Sequence, residues 1–309
     1  MKAIQSAKVA ALAAMFFVFS PSGAKAQDSD IIVTTAEGVG SFNSSLSGTS
    51  VETFNNLAPG VYNNVSWNGV GTIDQVSVLS ANQYGGAPYG SGSSSSPYSG
   101  ASPYAVQSAS SSLGGVQNTT LHLNSPSSYF GLYWSAGDAA NQISFYNGQT
   151  LVGSFSTQSL MDKLPSSYYG NPNTYGSFGG KDSQEPFGFI NFLGGSGTSW
   201  DTIVLSDTAS SGFESDNWTS RVDGWNPAGD GSLPGTPVVN LQSIDGVQTT
   251  SQIIGANVVD GQLAITQVDA NGFASTVNFT PNAPAPPLSA CLAFAGVLIL
   301  QSFRKRLTA

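Results

Sequence analysis

Apolar side chains along this chain come in short runs cut apart by Gly, Asn and Ser, and within several runs they recur at every second position. Thr119-Thr120-Leu121-His122-Leu123 alternates in this way, which is the period of a strand with one face buried. Residues 31–35, 61–67, 73–79, 129–134, 187–193 and 200–205 are rich in β-branched and aromatic side chains and read as further strands. Asn147-Gly148 sits between the runs 142–146 and 149–155. Asn-Gly accepts the positive φ angles of a type I′ turn, so this segment predicts a hairpin. More strands are expected over 236–280, turned at Asp245-Gly246, Asp260-Gly261 and 269–272. Residues 159–164 suit one short helical turn. Strands this short and frequent predict an all-β fold, an antiparallel β-sandwich of jelly-roll type, because the strand–helix alternation of a parallel α/β fold is missing.

One stretch interrupts the pattern. Residues 83–115 are mostly Gly, Ser, Pro, Ala and Tyr without a single charge, and Pro-Tyr recurs at Pro88-Tyr89, Pro97-Tyr98 and Pro103-Tyr104. Such a segment has little to bury against the entropy of ordering it. It predicts a flexible insertion between two strands, or a tyrosine-rich loop for glycan contact.

The two ends read as addresses. Lys2 and Lys8 precede and open a short apolar run over 9–19, and Ala24-Lys25-Ala26 fits a small-x-small cleavage site. Residues 1–26 are therefore expected to be a signal peptide for the secretion machinery and signal peptidase, with Gln27 first in the mature chain and an exported domain over 27–281. At the other end, Pro284, Pro286 and Pro287 precede an apolar run over 288–303 and the basic cluster Arg304-Lys305-Arg306. An apolar helix backed by basic residues stops translocation and leaves the cluster in the cytoplasm. Residues 282–309 resemble the PEP-CTERM sorting signal of bacterial surface proteins, in a variant form without Glu between the prolines. The resemblance implies a transmembrane helix, an exosortase as partner, and a final place at the cell surface or outside the cell. A permanent inner-membrane anchor is the plainer alternative. Cys291 lies within the apolar run and reads as a small packing residue.

Composition then narrows the chemistry. Six of the nine basic residues lie in the two ends, leaving Lys163, Lys181 and Arg221 against all 18 acidic residues, a net charge of −15 for the exported part. That balance excludes a nucleic-acid partner, which needs a basic footprint. One Cys and one His exclude a disulfide framework and a Cys/His zinc site.

The segment 129–138, Tyr-Phe-Gly-Leu-Tyr-Trp-Ser-Ala-Gly-Asp, then Asn141 and Ser144-Phe145-Tyr146-Asn147-Gly148, is similar to a pattern of exosortase-sorted surface proteins, and Phe213-Glu214-Ser215-Asp216-Asn217 resembles their closing strand. The resemblance implies a secreted β domain and brings no catalytic residues. Both motifs put oxygen ligands near strand ends. Asp138, Asn141, Glu214, Asp216 and Asn217 are candidate Ca²⁺ ligands, Glu214 and Asp216 sharing a strand face. Ordinary turn chemistry and a solvated strand edge are the alternative. The acidic loop from Asp223 to Asp230 invites the same two readings. The exported part is otherwise expected to need no cofactor.

A Ser-His-Asp site would have to use His122, which reads instead as a surface strand residue. A glycan hydrolase needs two carboxyls, and Glu185, Glu214 and Asp216 are the candidates. Trp67, Trp218 and Trp225 lie in polar sequence and are candidates for stacking on sugars, whereas Trp134 and Trp200 have apolar flanks and read as core. The expected role is structural, adhesive or glycan-binding, with exopolysaccharide as a partner. A secreted glycan hydrolase is the rival.

Overall fold

The computed structural model describes residues 29–35, 40–87, 102–161, 163–173, 178–195, 197–207, 209–244, 247–259 and 262–279. Both expected sorting segments lie outside these residues, Ala24, Ala26 and Gln27 at one end and Pro284, Pro286, Pro287, Arg304, Lys305 and Arg306 at the other. So do the turns at Asp245-Gly246 and Asp260-Gly261. No helix among the described residues is long and apolar enough to cross a membrane.

The described chain is almost wholly antiparallel sheet. Its strands are β1 (Ser29–Thr35), β2 (Ser50–Glu52), β3 (Gly60–Trp67), β4 (Gly71–Leu79), β5 (Tyr104–Gln107), β6 (Asn118–Ser127), β7 (Tyr129–Ser135), β8 (Gln142–Asn147), β9 (Thr150–Ser156), β10 (Gly188–Gly194), β11 (Trp200–Ser206), β12 (Phe213–Ser220), β13 (Thr236–Ile244), β14 (Val247–Val259), β15 (Gln262–Val268) and β16 (Ala274–Phe279). They run in the order β16-β15-β14-β13-β1-β10-β7-β12-β5-β4-β6-β11-β8-β9, with β2 paired to β12 and β3 to β4. One helical turn, α1 (Gln158–Met161), answers to the turn expected over 159–164.

The central strands have both faces covered. Every residue of β7, β10 and β12 is buried. That fits the largely aromatic and aliphatic runs of β7 and β10, whereas β12, Phe-Glu-Ser-Asp-Asn-Trp-Thr-Ser, is buried despite its polar sequence. The sheet also folds back on itself. Phe192 of β10 meets Phe155 of β9 at 5.3 Å and Phe145 of β8 at 5.1 Å, although β8 and β9 lie at the far end of the strand order. Edge-to-face and tilted rings at these spacings add to plain area burial. One apolar cluster thus collects Ile31 of β1, Phe130 of β7, Phe145, Phe155 and Trp200 of β11.

The hairpin of β8 and β9 forms one residue later than its sequence signal. Asn147 pairs with Thr150, so the loop is Gly148-Gln149, and among these loop and flanking residues Gly148 alone has positive φ, at 58°. That is the pattern of a type II′ turn, with Gly in the first central place, and Asn147 stays in the strand. The turn at 269–272 is present as expected. Asp269 accepts hydrogen bonds from the amides of Asn271 and Phe273, both at 2.9 Å, and Gly272 has φ 85°.

The flexible insertion expected over 83–115 is corrected in its described part by β5. Tyr104–Gln107 is a buried strand hydrogen-bonded between β12 and β4, and residues 83–87 and 102–103 lead into it as ordered stems. Residues 88–101, with Tyr89 and Tyr98, lie outside the described residues. The composition hides β5 because a central strand buried on both faces needs no alternation, and Tyr-Ala-Val-Gln is too short to stand out.

Candidate functional site

A cavity of about 310 Å³ opens at the start of β12 and is lined by Tyr84, Tyr104, Asp138, Glu185, Ser211 and Glu214, with Ala136, Ser112, Leu113 and Gly212 completing the wall. Each acidic side chain arrives from a different element. Glu214 is the second residue of β12 and pairs with Val106 on one side and Ser135 on the other. Asp138 comes from the turn between β7 and β8. Glu185 comes from the loop before β10, whose Pro186 carbonyl accepts the Gly137 amide at 3.0 Å.

That turn has a sequence reason for its shape. Ala136 takes the left-handed region at φ 43°, and a Cβ on Gly137 would lie 2.1 Å from the Trp134 indole. Only Gly lets the chain cross that ring so closely. Asn141 closes the turn from inside. Its Oδ1 accepts from Trp134 Nε1 at 3.0 Å and from the Asp138 amide at 3.3 Å, and its Nδ2 donates to the Gly212 carbonyl at 2.9 Å. Asp138 Oδ1 in turn accepts the Ala140 amide at 2.7 Å.

Asn82 sets the aromatic wall. Its Oδ1 accepts from the Tyr84 amide at 2.8 Å and from the Tyr104 hydroxyl at 3.2 Å. Gly85 lies so close to the Tyr104 ring that a Cβ there would be 2.7 Å away. Tyr104 is buried and Tyr84 exposed, so one ring is fixed and the other faces solvent.

The electrostatics of the pocket are one-sided. Glu214 is 6% exposed, and burial lifts its carboxyl well above the ordinary range, with the charges of Glu185, Asp138 and Asp207 adding to the effect and its own amide opposing it. Glu185 is pushed up to about 8 by burial first, then by a hydrogen bond to Asp182 and the charges of Asp182 and Asp138. Burial and the nearby Glu214 charge also raise the Tyr104 hydroxyl. Desolvation disfavours the charged form of an acid, and like charges reinforce it.

The five candidate calcium ligands are divided among three places. Asp138 and Glu214 face the pocket, and Asn141 stands behind it with both ends of its amide engaged. Asp216 and Asn217 lie elsewhere. Asp216 Oδ2 accepts from the Ala87 amide at 2.9 Å and from the Ser102 hydroxyl, and its Oδ1 accepts the Asn217 amide at 2.7 Å. Asn217, at φ 47°, marks a register shift in β12 and donates through Nδ2 to the Phe42 carbonyl at 2.7 Å and to Asn43 Oδ1 at 3.1 Å. The strand that carries them is central, so the solvated edge expected for Glu214, Asp216 and Asn217 is corrected. Among the described residues no group of three or more His, Cys, Asp and Glu is gathered closely enough to hold a metal ion. In the second acidic loop, Asp230 is spent on Arg221 at 2.7 Å and on the Asn226 amide at 2.9 Å.

The three tryptophans expected to offer stacking faces are buried, Trp67 and Trp225 at 4% exposure and Trp218 at 0%. Trp218 meets Phe54 edge-on at 5.2 Å and donates to Ser215 Oγ at 3.0 Å. The polar residues beside it in sequence misled, because in a buried strand Ser, Thr and Asn are satisfied by hydrogen bonds rather than by water. Trp134 and Trp200 are core residues, as expected. His122 is a half-exposed residue of β6 whose Nε2 lies 3.2 Å from Asp74 Oδ2. The sequence reading missed Asn82, and it held Tyr84 and Tyr104 only as members of a tyrosine-rich stretch over 83–115. Asn82-Gln83-Tyr84-Gly85-Gly86 does carry a turn signal.

The chain matches no family model, no curated protein and no solved structure.

Proposed function

We propose that this is an exported β-sandwich protein of jelly-roll type, displayed at the cell surface or in the extracellular matrix, that binds glycan in the pocket at the head of β12. The observation that carries the binding is the pairing of an ordered tyrosine wall, Tyr84 and Tyr104, with carboxyl groups in one cavity of about 310 Å³. The exposed face of Tyr84 beside hydrogen-bonding carboxyls suits a sugar ring, which has an apolar face and a polar rim. Export rests on the ends of the sequence: residues 1–26 as signal peptide, with cleavage after Ala26, and 282–309 as an exosortase signal. The net charge of −15 keeps such a protein soluble outside the cell and disfavours acidic partners.

A second reading, glycan hydrolysis, is favoured by one feature. Glu185 and Glu214 line the same cavity, and both hold protons to unusually high pH. A carboxyl protonated near neutrality is what a general acid requires.

Glycan-array binding by the purified protein, without release of reducing ends, is the expected result. Release of reducing ends that disappears in Glu214→Gln replaces binding by hydrolysis. An intact mass that begins at Gln27 and lacks Arg304-Lys305-Arg306 is expected for the protein from its native host. A mass ending at Ala309 makes the C-terminal segment a permanent anchor.

A further inference from the structure

The pocket is acidic, and nothing in it supplies the opposite charge. Among the described residues that line it there is no Lys, Arg or His. Arg221 is tied to Asp230 at 2.7 Å, and His122 stands by Asp74. Glu214 lines the cavity at 6% exposure, and the donor that reaches its carboxyl is its own backbone amide. The charges that raise that carboxyl, those of Glu185, Asp138 and Asp207, are all negative. A buried acid with acidic neighbours and no cation among the lining residues is uncompensated whenever it ionises. A cation from outside relieves it.

Two kinds of cation differ in what they demand. Ca²⁺ requires six to eight oxygen ligands at roughly 2.3–2.6 Å. The residues here do not gather such a set: Asn141 is engaged at both ends, Asp216 is held by the Ala87 amide and the Ser102 hydroxyl, and no group of three acidic side chains is close enough among the described residues. An organic ammonium requires less. It brings three N–H donors of its own and is satisfied by one or two carboxylates with an aromatic face alongside. The pocket offers that, with Glu214 and Glu185 as carboxyls and the exposed ring of Tyr84 at its mouth.

We propose that this pocket binds a ligand bearing a free primary ammonium, of the amino-sugar class, with Glu214 as its charge partner and Tyr84 as its stacking face. The sugar part of the proposal rests on the glycan-binding reading above. The ammonium part rests on the buried Glu214 carboxyl among acidic neighbours and on the exposed Tyr84 ring in the same cavity. Binding draws the raised carboxyls into their ionised form, so protons leave the protein as the ligand enters. A neutral sugar leaves those protons in place.

The test is calorimetric titration of the full chain at pH 6.5 with a glucosamine tetramer, its fully N-acetylated counterpart and CaCl₂, each in buffers of different ionisation enthalpy. The expected result is that the amine binds at least about ten-fold tighter than the acetylated tetramer and releases protons. Glu214→Gln, an isostere of the protonated acid, removes that preference. Tyr84→Ala, at an exposed site, weakens amine binding several-fold with an unchanged melting temperature. Equal or tighter binding of the acetylated tetramer overturns the proposal while leaving glycan binding intact. Stoichiometric Ca²⁺ binding that displaces the amine also overturns it and makes the pocket a metal site. Absence of binding to both tetramers overturns it too, and a glycan array then decides whether glycan binding falls as well.

Discussion

Asp216 and Ala87 lie 129 residues apart in the chain and meet through a 2.9 Å hydrogen bond from the Ala87 amide to the Asp216 carboxylate. The Ser102 hydroxyl donates to the same oxygen, and the Ser102 amide donates to the Ala87 carbonyl at 3.1 Å. One buried carboxylate in β12 thus holds Ala87 and Ser102, the two stems of the Gly/Ser/Pro/Tyr-rich segment, together. Each buried donor left without a partner costs about 1–3 kcal/mol. Asp216→Ala is expected to lower the unfolding free energy by about 3 kcal/mol in urea titrations, and Asp216→Asn, which keeps an acceptor oxygen, by less. Equal losses in the two variants would show that volume and not hydrogen bonding matters at this position.

Stability is expected to fall as pH rises. Glu185 is pushed up to about 8 and Asp216 to about 7, in both cases by burial before any other cause, from ordinary values of 4.5 and 3.8. Glu214 is raised as well, again by burial first. An acid whose folded-state value is raised keeps its proton when the unfolded chain has lost it. Its contribution is therefore fully present below the unfolded value and is lost as pH climbs through the folded value. Urea midpoints measured from pH 5 to pH 8 should decline across that window, and Glu185→Gln should flatten the decline. A midpoint that climbs with pH over this range contradicts the burial that raises these groups.

All five tryptophans are buried, Trp67 and Trp225 at 4% exposure and the others at 1% or less. Indole shielded from water emits at short wavelength and resists collisional quenchers. The folded protein should show blue-shifted emission and little acrylamide quenching, with quenching rising sharply only at the unfolding transition. Strong quenching of the native protein would return Trp67, Trp218 or Trp225 to the surface as stacking residues.

What the sequence reveals and what it conceals divide along a physical line. His122 and its neighbours alternate because β6 has one wet face, and the strand is legible. Asn147-Gly148 marks its hairpin because Gly accepts a φ that few residues tolerate. β5 is illegible, since Tyr104-Ala105-Val106-Gln107 is buried throughout and embedded in low-complexity sequence. The pocket is half legible. Glu214 and Asp138 sit in motifs that single them out, yet Asp216, two residues from Glu214 on the same strand, ends in a different environment. The register shift at Asn217 and the stems at Ala87 and Ser102 decide that, and both are long-range facts. Asn82, which orients both tyrosines, is an ordinary turn residue until Tyr104 is known to be beside it.

β9 is the last strand in the order and so presents an open edge, a liability for association between chains. A side chain covers part of it. Gln248 of β14 accepts the Ser154 amide through Oε1 at 2.9 Å and donates through Nε2 to the Ser154 carbonyl, so its carboxamide takes the place of a neighbouring strand's peptide group. The strand is held from inside as well, since a Cβ on Gly153 would lie 2.9 Å from Ile31 Cδ1, which leaves no room for it to shift toward β1. A typical hydrogen bond contributes about 0.5–1.5 kcal/mol net, and the freed groups at an open edge regain water. Gln248→Ala is therefore expected to lose about 1–2 kcal/mol of stability, to speed amide exchange at Ser154, and to bring concentration-dependent association in sedimentation velocity. Gln248→Glu keeps the acceptor for the Ser154 amide but sets a carboxylate against the Ser154 carbonyl, so it should be no better than Ala. If Gln248→Ala stays monomeric with unchanged exchange at Ser154, the edge is protected by packing against β1 and the carboxamide is incidental.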